Sequence, residues 1–202
     1  MIESTKFYKR CYRIAKVLFR VFYRYKVIGR ENINDGGALI CVNHSSMLDP
    51  IFVGLGLGLN IQPHIIAKKE LFKIPIVAWL IRGLDAISVD RSKADIGTIK
   101  ESLNYLKRGS KVAIFPEGTR VADDDVSFAK LGAIKIAERA GVPILPLFLP
   151  RKKRLFRRVF IVFGEPYEIA KQKGKRSHED YVKLSEEMME KILSLNPATK
   201  VT

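Results

Sequence analysis

The sequence predicts an α/β fold: a single domain with a largely parallel or mixed central sheet flanked by helices, preceded by an N-terminal amphipathic helix. Three observations lead there. Apolar runs of strand length recur along the 202 residues, stretches of helical period separate them, and several runs are apolar at every position. Unbroken apolar runs mark strands covered on both faces. Alternation of strand and helix then lays helices over a sheet whose neighbours run mostly parallel. With 47% of the chain hydrophobic, one domain of this length has the apolar surface for a core.

The first element is the N-terminal helix. At 100° per residue, Lys6, Lys9, Arg10, Arg13, Lys16, Arg20 and Arg24 share an arc of about 120° that only Val17 interrupts. The other side presents Phe7, Cys11, Ile14, Leu18, Phe22 and Tyr25, with Tyr8, Tyr12, Phe19 and Tyr23 at its margin. Residues 1–30 carry nine basic side chains against Glu3 alone. A helix this basic on one side and apolar on the other suits a water–lipid interface, its charges near anionic headgroups. The expectation is that residues 1–30 form a membrane-interface helix whose apolar side buries in lipid, and that residues 31–202 fold without it.

Strands follow at Ala38–Val42, 65–67, 86–89, 112–115, 144–149 and 159–163. Helical patterns lie at 71–82, at 94–107 with Ile96, Ile99, Leu103 and Leu106 on one face, and at 129–140 before Gly141. The last helix opens at Ser177, with Glu179 and Asp180 in its first turn. Its stripe of Tyr181, Leu184, Met188, Ile192 and Leu195 reads as core packing. Gly54, Gly56 and Gly58 are spaced by single residues, unlike a phosphate loop, and suit a helix packed close to a neighbour. Trp79 reads as core or interface, and His64 and His178 as structural.

Lys and Arg number 36 against 21 Asp and Glu, a formal charge of +15. That calls for a negative partner: anionic lipid, an acidic carrier protein or nucleic acid. The aromatic residues of the first helix face away from its basic arc, which favours lipid over nucleic acid. Cys11 and Cys41 are too few for a disulfide framework or a metal knot, so no metal is expected and a reducing compartment is. No window approaches the roughly 20 apolar residues that cross a bilayer, and no signal peptide is recognisable. The expected place is the cytoplasm or the cytoplasmic face of a membrane. A second basic run at 151–158 reads equally as a solvated loop or as a surface for membrane or acidic carrier.

Two blocks carry chemistry. Asn-His-Ser-Ser-Met-Leu-Asp-Pro at 43–50 follows the first strand, which puts His44 at a carboxyl edge, where open α/β sheets bind ligands. Along an unbroken helix His44 and Asp49 would point about 140° apart, so their pairing needs a turn. Ser45 and Ser46 favour one, and Pro50 fits a first helical position. A histidine is suited to be a base near neutral pH, and a carboxylate on its other nitrogen fixes the tautomer and steadies the imidazolium. Phe-Pro-Glu-Gly-Thr-Arg at 115–120 leaves another strand, and its turn should open at the same edge. The glycine would let backbone N–H groups approach a phosphate, and Arg120 can bind one bidentately. A base with an orienting acid beside an anion grip describes acyl transfer to a phosphorylated alcohol.

The chain resembles the glycerolipid acyltransferase family through four ordered motifs. His44 to Asp49 fits its His-x4-Asp motif. Ala-Lys-Lys-Glu-Leu-Phe at 67–72 through Ile-Ser-Val-Asp-Arg at 87–91 fits the second, Phe115 to Arg120 the third, and Val-Pro-Ile-Leu-Pro-Leu at 142–147 the fourth. The resemblance implies that residues 31–202 form an acyltransferase domain in which His44 deprotonates the 2-hydroxyl of lysophosphatidic acid while Asp49 orients the ring. It implies an acyl-CoA or acyl carrier protein donor and no cofactor. Arg120, with Lys68 or Lys69 and Arg91, would bind the acceptor phosphate, and Glu117, Gly118 and Thr119 would line the acceptor site. Val121 stands where the family often has a small polar residue, and Asp123, Asp124 and Asp125 make the next loop unusually acidic. Alternatives are another lysolipid or an aminolipid as acceptor, or a non-catalytic membrane or nucleic-acid binding module. A binding module has no use for His44 with Asp49.

Overall fold

The computed structural model describes residues 4–90, 92, 95–121, 126, 129–170, 172 and 174–200. The helices are α1 (Lys6–Tyr23), α2 (Asp49–Leu57), α3 (Pro75–Gly83), α4 (Ile96–Lys107), α5 (Gly132–Ala140) and α6 (His178–Leu193). The strands are β1 (Lys26–Ile28), β2 (Ala38–Val42), β3 (Pro63–Lys68), β4 (Ile87–Val89), β5 (Lys111–Ile114), β6 (Ile144–Phe148) and β7 (Phe160–Phe163). They form one sheet in the order β1-β7-β6-β2-β5-β3-β4. β6, β2, β5, β3 and β4 all run parallel, β7 is antiparallel to β6, and β1 is parallel to β7. The carboxyl ends of five strands therefore share one edge.

β2 is the central strand, and every one of its residues is buried. Side chains alternate across a strand, so Leu39 and Cys41 enter one layer and Ala38, Ile40 and Val42 the other. The first layer takes Leu106 of α4, Ala133 and Ile134 of α5, and Met188 and Ile192 of α6. The second takes Phe52 and Leu55 of α2 with Tyr12, Phe19 and Tyr23 of α1. Burial of these apolar faces at about 25 cal/mol per Å² is the main force joining helix layers to sheet.

Local signals set the helix ends. Ser177 caps α6 in a full capping box with Asp180. Asp95 caps α4 through the N–H of Thr98, and α5 stops at Gly141, whose φ of 63° suits a residue without a side chain. The pattern at 71–82 is broken in two: Ile74 ahead of Pro75 is extended, so a 3-10 turn over Lys69–Lys73 precedes α3. Along α4 the buried positions are Thr98, Ser102 and Leu106, whereas Ile96 is 77% exposed. The hydroxyls tolerate burial because Thr98 donates to Ser88 O and Ser102 to Thr98 O.

The N-terminal segment corrects an expectation. Its helix ends at Tyr23, where Arg24 turns left-handed, and β1 joins the sheet beside β7. Nor is α1 an arm free of the domain. The margin of aromatic residues packs inward, Phe19 and Tyr23 edge-on against Phe52 of α2. The Tyr8 hydroxyl lies 2.8 Å from Gly58 O, 3.1 Å from Ile61 O and 3.2 Å from Gly54 O. Gly56 gives α2 its close approach to Ile161 and Phe163, where a Cβ would come within 2.8 Å and 3.0 Å. The core-facing side of α1 is thus its aromatic margin, which buries ring area against α2. Ile14, Leu18, Val21 and Phe22 are left exposed between that margin and the basic arc.

Candidate active site

Asn43 is fully buried one residue past β2. Its amide donates to Leu149 O at 2.7 Å and accepts from Leu149 N at 2.8 Å, prolonging the β2–β6 pairing beyond the sheet. The chain is thus held firmly just before His44. The backbone of His44 is held from the other neighbour, β5. Its N–H donates to Glu117 Oε2 at 2.9 Å, and its carbonyl accepts from Val121 N at 2.9 Å. The imidazole stacks on Phe115, ring centroids 4.2 Å apart.

Residues 45–48 turn back so that Asp49, the first residue of α2, meets the ring. His44 Nδ1 lies 2.8 Å from Asp49 Oδ2, which also accepts from the N–H groups of Ser45 at 2.7 Å and Ser46 at 2.8 Å. Asp49 Oδ1 lies 2.6 Å from the Lys153 ammonium, an ion pair with both side chains buried. Burial pushes the Asp49 carboxyl up, but the bond from His44, the Lys153 charge and the Ser45 N–H outweigh it and hold it below the usual carboxylate range. An ionised carboxylate only accepts, so Nδ1 carries the hydrogen and Nε2 is left as the acceptor. The ring is 13% exposed, enough for a hydroxyl to reach it.

The turn of the second block holds Glu117 against the catalytic loop. Both its carboxylate oxygens are occupied, one by His44 N and the other by Arg151 Nη2 at 2.8 Å, and the side chain is fully buried. Burial raises this carboxyl, and Arg151 and the His44 N–H offset part of that rise. Glu117 therefore braces the site, one oxygen holding the His44 backbone and the other Arg151. Gly118 has φ of 70°, and its N–H closes the turn on Phe115 O at 3.0 Å. Thr119 and Arg120 are exposed at the tip. The residue after Arg120 is bonded to His44, so the backbone of Arg120 is tied to the catalytic edge.

Lys68 ends β3 at the same edge, half exposed and 3.7 Å from Glu70. Lys69 differs, being paired with Asp90 at 2.5 Å. Arg91 and Asp123 to Asp125 lie outside the described residues. Val121 contributes through its backbone, so its side chain does not enter the contact with His44. Among the described residues no cluster of His, Cys, Asp and Glu could hold a metal ion. His64 is buried, stacked on Tyr105 and bonded to Asp85 O.

Asn43, Arg151 and Lys153 are the site residues that sequence reasoning missed. Arg151 reaches Val121 O at 2.9 Å as well as Glu117. The available signal was position: Arg151 and Lys153 come directly after an apolar strand, as the two sequence blocks do. That β6 borders β2 was the missing fact.

This edge geometry agrees with what the chain is similar to. A family model described as Acyltransferase matches residues 24–149, which span β1 to the end of β6 and both blocks. The 1-acyl-sn-glycerol-3-phosphate acyltransferase of Bacillus subtilis is 32% identical over 194 residues, covering 93% of this chain and 96% of that protein. An enzyme of the same name from Pseudomonas aeruginosa is 32% identical over 127 residues, and there the match spans 48% of the relative. The crystal structure of the 1-acyl-sn-glycerophosphate (LPA) acyltransferase from Thermotoga maritima superposes with a TM-score of 0.69 at 32% identity, covering 96% of this chain and 80% of that one. The family match over residues 24–149 and the Bacillus relative, 32% identical across nearly the whole of both chains, place this chain in the acyltransferase family.

Proposed function

We propose that this acyltransferase moves an acyl chain from acyl-CoA or acyl carrier protein to the 2-hydroxyl of lysophosphatidic acid, giving phosphatidic acid. The observation that carries the reading is His44, its Nδ1–H held by Asp49, its backbone bonded to the turn that bears Arg120. His44 Nε2 takes the hydroxyl proton as the oxygen attacks the thioester carbonyl. The imidazolium, steadied by Asp49, then gives that proton to the departing thiolate as the tetrahedral intermediate collapses. Arg120 and Lys68 hold the acceptor phosphate at the same edge, an electrostatic grip that fixes the hydroxyl near the base. Lys69, already paired with Asp90, is the weaker candidate.

The reading extends to an anionic membrane at the cytoplasmic face of the cell. Ile14, Val17, Leu18 and Val21 of α1 are exposed beside its basic arc. On α3, Trp79 is 65% and Ile76 81% exposed, and Phe7 of α1 meets the Trp79 ring edge-on. Leu155 and Phe156 are exposed at the other end of α1, where Phe156 contacts Phe22. Apolar side chains flanked by Lys and Arg fit a lipid interface, whose cytoplasmic leaflet is the negative one. Among the described residues no helix is long and apolar enough to cross a membrane.

The test is an assay of purified protein with lysophosphatidic acid and each donor, reading phosphatidic acid by mass spectrometry. Product with one donor and none from His44→Ala supports the proposal. His44→Ala should lose at least about 10²-fold in kcat, the lower bound for general base catalysis, and Asp49→Asn should lose less. No product with either donor moves the acceptor to another lysolipid or an aminolipid.

A further inference from the structure

Lys153 lies outside both sequence blocks, yet it is among the most enclosed charges of the protein, with 2% of its side chain exposed. Its ammonium has three donors and three near oxygens: Asp49 Oδ1 at 2.6 Å, Pro150 O at 2.6 Å and Ser45 Oγ at 3.1 Å. Its enclosure keeps it from a substrate phosphate, which separates Lys153 from the exposed Arg120 and the half-exposed Lys68. The lysine faces the oxygen of Asp49 that His44 does not use.

We propose that Lys153 is a positioning residue of the acyl-transfer reaction, a buried countercharge that balances Asp49 so that its carboxylate orients His44 without locking the ring in its protonated form. The inference rests on the reading of His44 as the base.

The physical problem is specific. A buried carboxylate against an imidazole favours the imidazolium, and an imidazolium is no base. A neutral carboxylic acid would lose the tautomer control. A cation on the far oxygen resolves the conflict: the pair Asp49–Lys153 is neutral as a unit, while Oδ2 still accepts from Nδ1. The other charged groups packed around His44 do not upset this balance, because Glu117 and Arg151 neutralise each other at 2.8 Å and Arg120 is exposed to solvent. The lysine also bonds the first turn residue, Ser45, and its own Pro150 carbonyl, so the segment after β6 holds the cation in place.

The experiment compares Lys153→Met, Lys153→Gln and Lys153→Arg with wild type, following kcat/KM for the acceptor against pH, with circular dichroism melts to verify folding. In the two neutral variants the acid limb of the profile should move up by about one pH unit, the low end of what an opposite charge at this range does. That is about a tenfold loss of kcat/KM on the limb and a smaller one on the alkaline plateau. Lys153→Arg should return the limb close to its wild-type position, even if its bulk lowers the plateau. The glutamine variant keeps a donor for Asp49 and fills the site should the methionine variant fail to fold. An acid limb that stays put in the neutral variants, or moves as far in Lys153→Arg as in Lys153→Gln, would overturn the proposal and leave Lys153 a loop brace. The two readings fail separately. If His44→Ala stays active the base assignment is wrong, whereas an inactive His44→Ala with an unmoved limb removes only the role of Lys153.

Discussion

The Asn43 side chain grips the backbone of Leu149 from both ends, giving a hydrogen bond to its carbonyl and taking one from its N–H. An amide side chain here does what another residue of parallel ladder would do, while its own backbone is free to turn into the catalytic loop. Asn43→Ala leaves a buried N–H and a buried carbonyl without partners. It should cost about 2 kcal/mol, at about 1 kcal/mol or more per orphaned group, and should lower kcat because His44 is next in the chain. Urea unfolding and steady-state kinetics check both; a variant with unchanged stability would show that water replaces the amide.

Arg120→Ala should raise KM for lysophosphatidic acid far more than KM for the thioester donor, since only the acceptor carries the phosphate that the guanidinium is placed to hold. Arg120→Lys should recover part of the loss, a lysine lacking the planar fork. Equal rises in both KM values point instead to a structural arginine.

Removing residues 1–23 should unfold the domain, because Phe19, Tyr23 and Tyr8 belong to the layer built on α2. Tyr8→Phe isolates the polar share of that packing. One hydroxyl serves three carbonyls, and its loss should cost about 1 kcal/mol, seen as a lower urea midpoint. A truncated chain with a cooperative melt like that of the full chain would place α1 outside the core after all.

Ile76→Asp alters an exposed side chain of α3, so its melt should hardly move, whereas Trp79→Asp also loses the ring contact with Phe7 and should melt slightly lower. Sedimentation with anionic vesicles should fall, as a charge then replaces apolar surface at the proposed lipid contact. The fall should be larger than that caused by added salt alone, which screens only the basic arc. Unchanged sedimentation would confine the lipid contact to α1.

Asp49 also ties stability to pH. Its carboxyl is held below the usual value in the folded protein, so the unfolded chain binds that proton more tightly. The stabilisation is complete above the unfolded value, about 3.9, and is lost as pH falls through the lower folded value. The urea midpoint of wild type should decline more steeply below about pH 4 than that of Asp49→Asn, which has no such group to protonate. Parallel declines would mean that Asp49 does not contribute to acid unfolding.

The linear pattern was enough for the alternation of strands and helices, because an apolar run or a 3.6-residue stripe is a local property of the chain. It was enough also for His44 and Asp49, five residues apart, where serines and a proline dictate the intervening turn. The halves of the site that lie far apart in sequence came from the tertiary structure alone. The contact of the Glu117 carboxylate with the His44 N–H exists only because β5 is set beside β2. Arg151 and Lys153 read as part of a basic run, either a solvated loop or a surface for membrane or acidic carrier, until β6 is set on the other side of β2. The same holds for α1: a helical wheel separates basic from apolar, but only the position of α2 decides which apolar edge is covered. Periodicity reports which residues leave water, and the order of strands in the sheet decides what they meet.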